Sequence, residues 1–213
     1  MSVEGTPYLD PYVRAAARHG DGFGSLLWAS PRTQAARFDA MMRLCPFRGQ
    51  NVLDVGCGRA DFLDHLVARD ARPAHYVGIE AVDALVDAAR RKQHPDCIIV
   101  HADFVREPAR LLAGADVIVF SGSLNTLDEA SFHGALRTAF DGAVRAVVFN
   151  FLCSTYLAAA DWLRWHRMED VLRFARSLTP RVATLSDYLQ GDTTIAIIKP
   201  DDGHARFMEG MQP

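Results

Sequence analysis

From residue 51 onward the chain alternates two patterns. Short apolar runs at Asn51–Val55 (NVLDV), His75–Glu80 (HYVGIE), Cys97–His101 (CIIVH), residues 115–120 (ADVIVF) and residues 144–149 predict five strands. Between them apolar residues recur at helical spacing: Phe62, Leu63, Leu66 and Val67 within residues 61–69, Leu85, Val86 and Ala89 within residues 82–92, and a third stretch at residues 129–140. Strands alternating with helices in this way predict right-handed crossovers and a parallel sheet. Runs such as Val117-Ile-Val-Phe120 are apolar throughout, which suits a sheet covered on both faces. The end of the chain differs. Residues 181–188 and 193–199 predict two strands around a tight loop holding Gly191, a hairpin that gives the sheet an antiparallel finish. Ahead of the first strand, residues 8–18 and 33–44 predict helices, the second with Phe38, Met41, Met42 and Cys45 on one face. Residues 20–25 (GDGFGS) read as a connector or as a lid, and residues 201–213 as a tail without periodicity. The expectation is one α/β domain over residues 1–213: a helical cap at 1–49, a doubly wound core at 50–200 and the tail.

Composition narrows the classes. A chain of 213 residues, 49% hydrophobic and 23% charged, buries a sizeable core and is not disordered. A net charge of −3 lacks the basic face that a nucleic-acid or anionic-membrane binder needs. The longest uncharged stretch, residues 146–160, is too short to span a bilayer and contains Asn150, Ser154 and Thr155. The N-terminus has no basic region followed by an apolar run, so no secretory signal is expected. Cys45, Cys57, Cys97 and Cys153 form no C-x-x-C pair, which argues against a zinc site and a disulfide framework and points to a reducing, cytoplasmic setting. No pair of histidines has metal-ligand spacing, and no metal is expected.

The candidate chemistry sits after the first strand, in Asp54-Val-Gly56-Cys-Gly58-Arg-Ala60-Asp61. Gly56 and Gly58 permit a tight turn and close approach of backbone to a ligand, in the place where doubly wound sheets bind nucleotides. A dinucleotide needs G-x-G-x-x-G/A, with its pyrophosphate on the helix N-terminus. Here the third position of that fingerprint is Asp61, whose carboxylate repels a pyrophosphate, and Asp54 adds a second. S-adenosyl-L-methionine has no phosphate and carries a sulfonium and an ammonium, so an acidic turn suits it better. Glu80 ends the second strand, placed to accept from ribose hydroxyls. Asp103 and Phe104 follow the third strand, placed to accept from an adenine amino group and to lie against its ring.

These residues carry a resemblance to the class I S-adenosylmethionine-dependent methyltransferases: VLDVGCGRAD (52–61), YVGIE (76–80), HADF (101–104) and DVIVFSGSLN (116–125). The resemblance spans roughly residues 8–199 and implies strand order 3-2-1-4-5-7-6 with strand seven antiparallel, in agreement with the hairpin. It implies cofactor contacts from Asp54, Gly56, Gly58, Glu80, Asp103 and Phe104, with no metal. Ala60 departs from it where a third glycine is usual. The chain further resembles a bacterial branch of that family, through Trp28, Gln34-Ala-Ala-Arg37-Phe38, Ser121-Gly-x-x-Asn125, Asn150-Phe151 and the segment from Asp187 to Asp192. That likeness supplies no acceptor.

Several residues keep two readings. Arg37 is a partner for the cofactor's methionine carboxylate, since the family places such an arginine here, or a solvated helix residue. Ser121 contacts the cofactor's amino group or is a turn residue. Asn125 and Asn150 bind substrate or satisfy turns. His133 is a general base or an ordinary helical histidine, and Trp162 and Trp165 wall a pocket or pack a helix on the sheet. The expected function is methyl transfer to a small-molecule acceptor, with no membrane or nucleic-acid partner. A non-catalytic cofactor-binding subunit and a dinucleotide-dependent oxidoreductase remain the alternatives.

Overall fold

In a computed structural model that describes residues 6–200, seven strands pair into one mixed sheet. They are β1 (Asn51–Val55), β2 (His75–Glu80), β3 (Cys97–His101), β4 (Val117–Phe120), β5 (Ala146–Leu152), β6 (Val182–Leu185) and β7 (Asp192–Ile198), in the order β3-β2-β1-β4-β5-β7-β6. The first five run parallel; β7 is antiparallel to both β5 and β6. This is the expected fold class. The expectation for residues 201–213 falls outside the described residues.

Successive strand residues point to opposite faces, so each strand feeds two cores. Leu53 and Val55 join Phe120, Phe132, Phe149 and Phe151 on one face, under α5 (Glu129–Gly142) and α6 (Met168–Leu178). Val52, Tyr76 and Val119 join Phe38, Met41 and Phe62 on the other, under α2 (Pro31–Leu44) and α3 (Asp61–Ala68). The helix starts are written locally. Ser30 and Thr33 form a reciprocal capping box with Pro31 at the first helical position of α2, and Asp128 accepts the Ser131 N–H ahead of α5.

Several boundaries differ from the sequence expectation. The β5 strand begins two residues later and runs three further, because Val144 is solvent-exposed while Asn150 to Leu152 continue the ladder with β7. The hairpin arm of residues 181–188 is strand only at Val182–Leu185. Residues 23–26 of the glycine-rich connector form a short 3-10 turn. Residues 153–167 hold no α-helix; the helix α6 that follows was not anticipated. Ahead of the sheet α1 spans Asp10–His19, and α4 spans Asp83–Arg91 between β2 and β3. Among the described residues no helix is long and apolar enough to cross a membrane.

Candidate functional site

The carboxyl ends of β1, β2 and β4 converge on one cavity. The turn after β1 makes its floor. Gly56 adopts φ +72°, and its N–H donates to the Ile79 carbonyl at 2.8 Å, which folds the turn over the end of β2. Added to Gly56, a Cβ would lie 2.4 Å from that of Ser123, whose hydroxyl donates to the Val55 carbonyl at 2.6 Å. Glycine is therefore needed here first to let the loop after β4 close on the turn.

Glu80 ties the turn to the next crossover. Its Oε2 accepts the Gly58 N–H at 2.8 Å, and its Oε1 accepts those of Ala81 and Val82, each at 2.9 Å. One buried carboxylate thus organises the entries to α3 and α4. Burial pushes its pKa up, against the pull of the three amides. Asp54 lies beneath. It accepts from the Tyr76 hydroxyl through Oδ2, while its buried Oδ1 has no hydrogen-bond partner. Burial pushes the Asp54 carboxyl up to about 7, with the charge of Glu80 adding to it. The partners of these two carboxylates are a phenol and backbone amides, so hydrogen bonding leaves their charge uncancelled.

Asp54, Gly56, Gly58, Glu80, Asp103, Phe104, Ser121 and Asn125 all line this cavity. Three more buried atoms of lining residues have no partner: Ser121 Oγ, Asn125 Oδ1 and Arg59 Nε. The opposite wall comes largely from residues outside the sequence expectation, with Trp162 the exception. Tyr8, in the turn ahead of α1, and Tyr12, in its first turn, line it together with Leu26 and Trp28; Trp162 lines it as well. The helical spacing of the tyrosines was the available signal.

A family model described as a methyltransferase domain matches residues 29–186. The chain belongs to this methyltransferase family. No curated protein matches it. Among solved structures, magnesium protoporphyrin IX methyltransferase from Synechocystis with bound SAH superposes at a TM-score of 0.65 and 15% identity, over 92% of this chain and 95% of that one. A DhpI-SAM-HEP complex gives 0.66 and 13%, over 94% and 100%. A putative methyltransferase in complex with the Haloferax volcanii Trm112 activator gives 0.61 and 13%, over 94% and 100%.

Set against this cavity, the sequence expectations for Arg37, Asn150 and Asp61 change. Arg37 does not reach the cavity lining: its Nε donates to Asp192 at 2.7 Å, deep in the interior, and its guanidinium lies over the Trp28 ring. It is a buried residue, and its charge is engaged by Asp192. Asn150 is fully buried behind the lining, with its amide between Gly122 and Asp192. Asp61 does line the cavity, but burial is opposed by Lys92 at 2.7 Å and Arg59 at 3.2 Å, which hold its carboxyl below the usual range. Its repulsion of a pyrophosphate is largely cancelled, so discrimination by charge falls to Asp54 and Glu80. Ala60 sits at φ +56° ahead of α3, a conformation that costs alanine roughly 1 kcal/mol more than glycine. His133 and His166 stand apart from the cavity lining among Phe132 and Phe174; burial lowers the pKa of each. Trp165 is largely exposed, and only Trp162 serves as wall.

Proposed function

We propose that this methyltransferase moves the methyl group of S-adenosyl-L-methionine to a small acceptor held in the cavity beside the glycine turn. The observation that carries this reading is the pair of buried carboxylates, Asp54 and Glu80, at one end of a cavity that also presents unpartnered acceptors. Buried charge of one sign without a counter-ion is costly unless a ligand completes it. A nucleoside with hydroxyl donors and positive charge completes it; a diphosphate bridge does not.

The residues fit that ligand group by group. Glu80 has lone pairs left for ribose hydroxyls after its three amides. Asp54 Oδ1 and Ser121 Oγ are buried acceptors at the glycine turn, suited to an ammonium. Phe104 offers a ring edge-on to Phe120 at 5.8 Å, and Asp103 a carboxylate beside it. Asn125 Oδ1 is the unpartnered acceptor we assign to the methyl acceptor. Bound here, S-adenosylmethionine supplies a methyl on a sulfonium, a good leaving group. The chain's part is to align the two partners and exclude water, a task that falls to the apolar lining of Tyr8, Trp28 and Trp162.

Calorimetric titration of the protein with S-adenosylhomocysteine tests the reading. Saturable one-to-one binding is expected; NADH binding with none of S-adenosylhomocysteine would reverse it in favour of the oxidoreductase.

Tyr8 adds a sharper check. Its hydroxyl donates to Asp103 Oδ2 at 2.6 Å, while Oδ1 accepts the Val105 N–H at 3.0 Å. The phenol therefore competes for the carboxylate assigned to adenine. Tyr8→Phe is expected to tighten S-adenosylhomocysteine binding about threefold, the scale of one modest net hydrogen bond. An unchanged or weaker affinity would remove adenine from Asp103.

A further inference from the structure

Asp192 opens β7, on the far side of β5 from the glycine turn, and is buried with no place in the cavity lining. Three donors meet on its carboxylate. Arg37 Nε donates at 2.7 Å, Asn150 Nδ2 reaches both oxygens at 3.2 and 3.3 Å, and the Tyr188 hydroxyl donates to Oδ1. A carboxylate only accepts, so it dictates which end of the Asn150 amide faces it. Oδ1 is thereby turned the other way, where it accepts the Gly122 N–H at 2.8 Å. Gly122 lies in the cavity lining at φ +76°, and its carbonyl accepts from Asn125 N–H at 3.3 Å.

The second arm runs through Arg37. Its guanidinium carbon lies 4.7 Å from the centre of the Trp28 ring, a cation–π contact on the back of a cavity wall. The two arms meet again at the site, because a Cβ on Gly122 would stand 2.7 Å from Trp28. The loop after β4 and the Trp28 wall touch there, and both are anchored to one carboxylate at the start of β7.

We propose that Asp192 is a positioning residue for the cavity, acting through Asn150 on the loop after β4 and through Arg37 on Trp28. This rests on the cofactor reading above, in which that loop and wall hold the ligand. It assigns one task to Trp28, Arg37, Gly122, Asn150 and Asp192, which are scattered over more than 160 residues of sequence.

The test uses Asn150→Ala and Asp192→Asn, with Tyr188→Phe as the comparison. Tyr188 touches Asp192 and Thr194 from the hairpin side and leads to no cavity residue. Amide exchange at Gly122 is read in the ligand-free proteins, and S-adenosylhomocysteine affinity by calorimetry. Asn150→Ala and Asp192→Asn are expected to speed Gly122 exchange and weaken binding about tenfold, the scale of a buried amide left without its acceptor. Tyr188→Phe is expected to lower the melting temperature alone. Folded Asn150→Ala with wild-type exchange at Gly122 and wild-type affinity would overturn the proposal; should that variant not fold, the same result for Asp192→Asn would do so. A wild-type protein that binds no S-adenosylhomocysteine sinks the cofactor reading instead, while Gly122 exchange still decides whether Asp192 acts on the loop.

Discussion

Asp54→Asn is expected to make the protein more stable and to weaken its cofactor binding. Burial holds the Asp54 carboxyl up to about 7 in the folded chain, against about 3.9 for an unfolded one. Between those values the native state keeps a proton that the unfolded state has lost. Stability therefore falls as pH rises through that window, and the full penalty stands above pH 7. Asparagine has no charge to desolvate and still accepts from the Tyr76 hydroxyl. The gain should be absent near pH 4 and reach about 2–4 kcal/mol at pH 8, as measured by denaturant unfolding at the two pH values. Affinity should move the other way. A neutral amide cannot answer a positive ammonium, and S-adenosylhomocysteine binding is expected to weaken at least about tenfold at pH 8. In the wild type a cationic ligand favours the ionised carboxylate, so affinity rises from pH 6 to 8 and a proton is released, readable by calorimetry in buffers of different ionisation enthalpy. Equal binding by the variant would place Asp54 outside the ligand's field.

Glu80→Ala should lose on both counts. Removing the carboxylate leaves the amides of Gly58, Ala81 and Val82 without their acceptor in a buried place. Hydrogen bonds to a charged group are worth about 1.5–3 kcal/mol each, and water entering the space left behind recovers part of the loss, so destabilisation of about 2–4 kcal/mol is expected. Cofactor binding should fall about 100-fold or more, since the ribose partner and the shape of the turn go together. Glu80→Gln separates the two. Its oxygen can keep Ala81 and Val82 while its NH₂ faces Gly58, so the approach to α4 is held and the turn after β1 loosens. A Gln variant that matches wild type in S-adenosylhomocysteine affinity would remove Glu80 from ribose recognition.

The sheet was legible because its information is local. Apolar runs of four to seven residues and turns between them specify strands, and the crossover rules leave few orders to choose from. The glycine turn, Glu80 and Asp103 were legible for a related reason: each follows a strand directly, and strand ends are where such sheets bind. What failed depended on contacts across the chain. Nothing near Arg37 or Asn150 announces Asp192, 155 and 42 residues away, and without it both residues read as free to meet a ligand. Asp61 read as a bare charge because Lys92 lies 31 residues on and one crossover later. Residues 153–167 carry no period, so Trp162 could not be told from Trp165.

The contributions of Tyr8 and Tyr12 at the N-terminal helix and of Trp162 after β5 lie outside every strand pairing. On the proposed reading, a substitution at Trp162 changes which molecule may enter without disturbing the ladder that carries the nucleoside end. Under that proposal the doorway can be retooled for another methyl acceptor while the foundations stand.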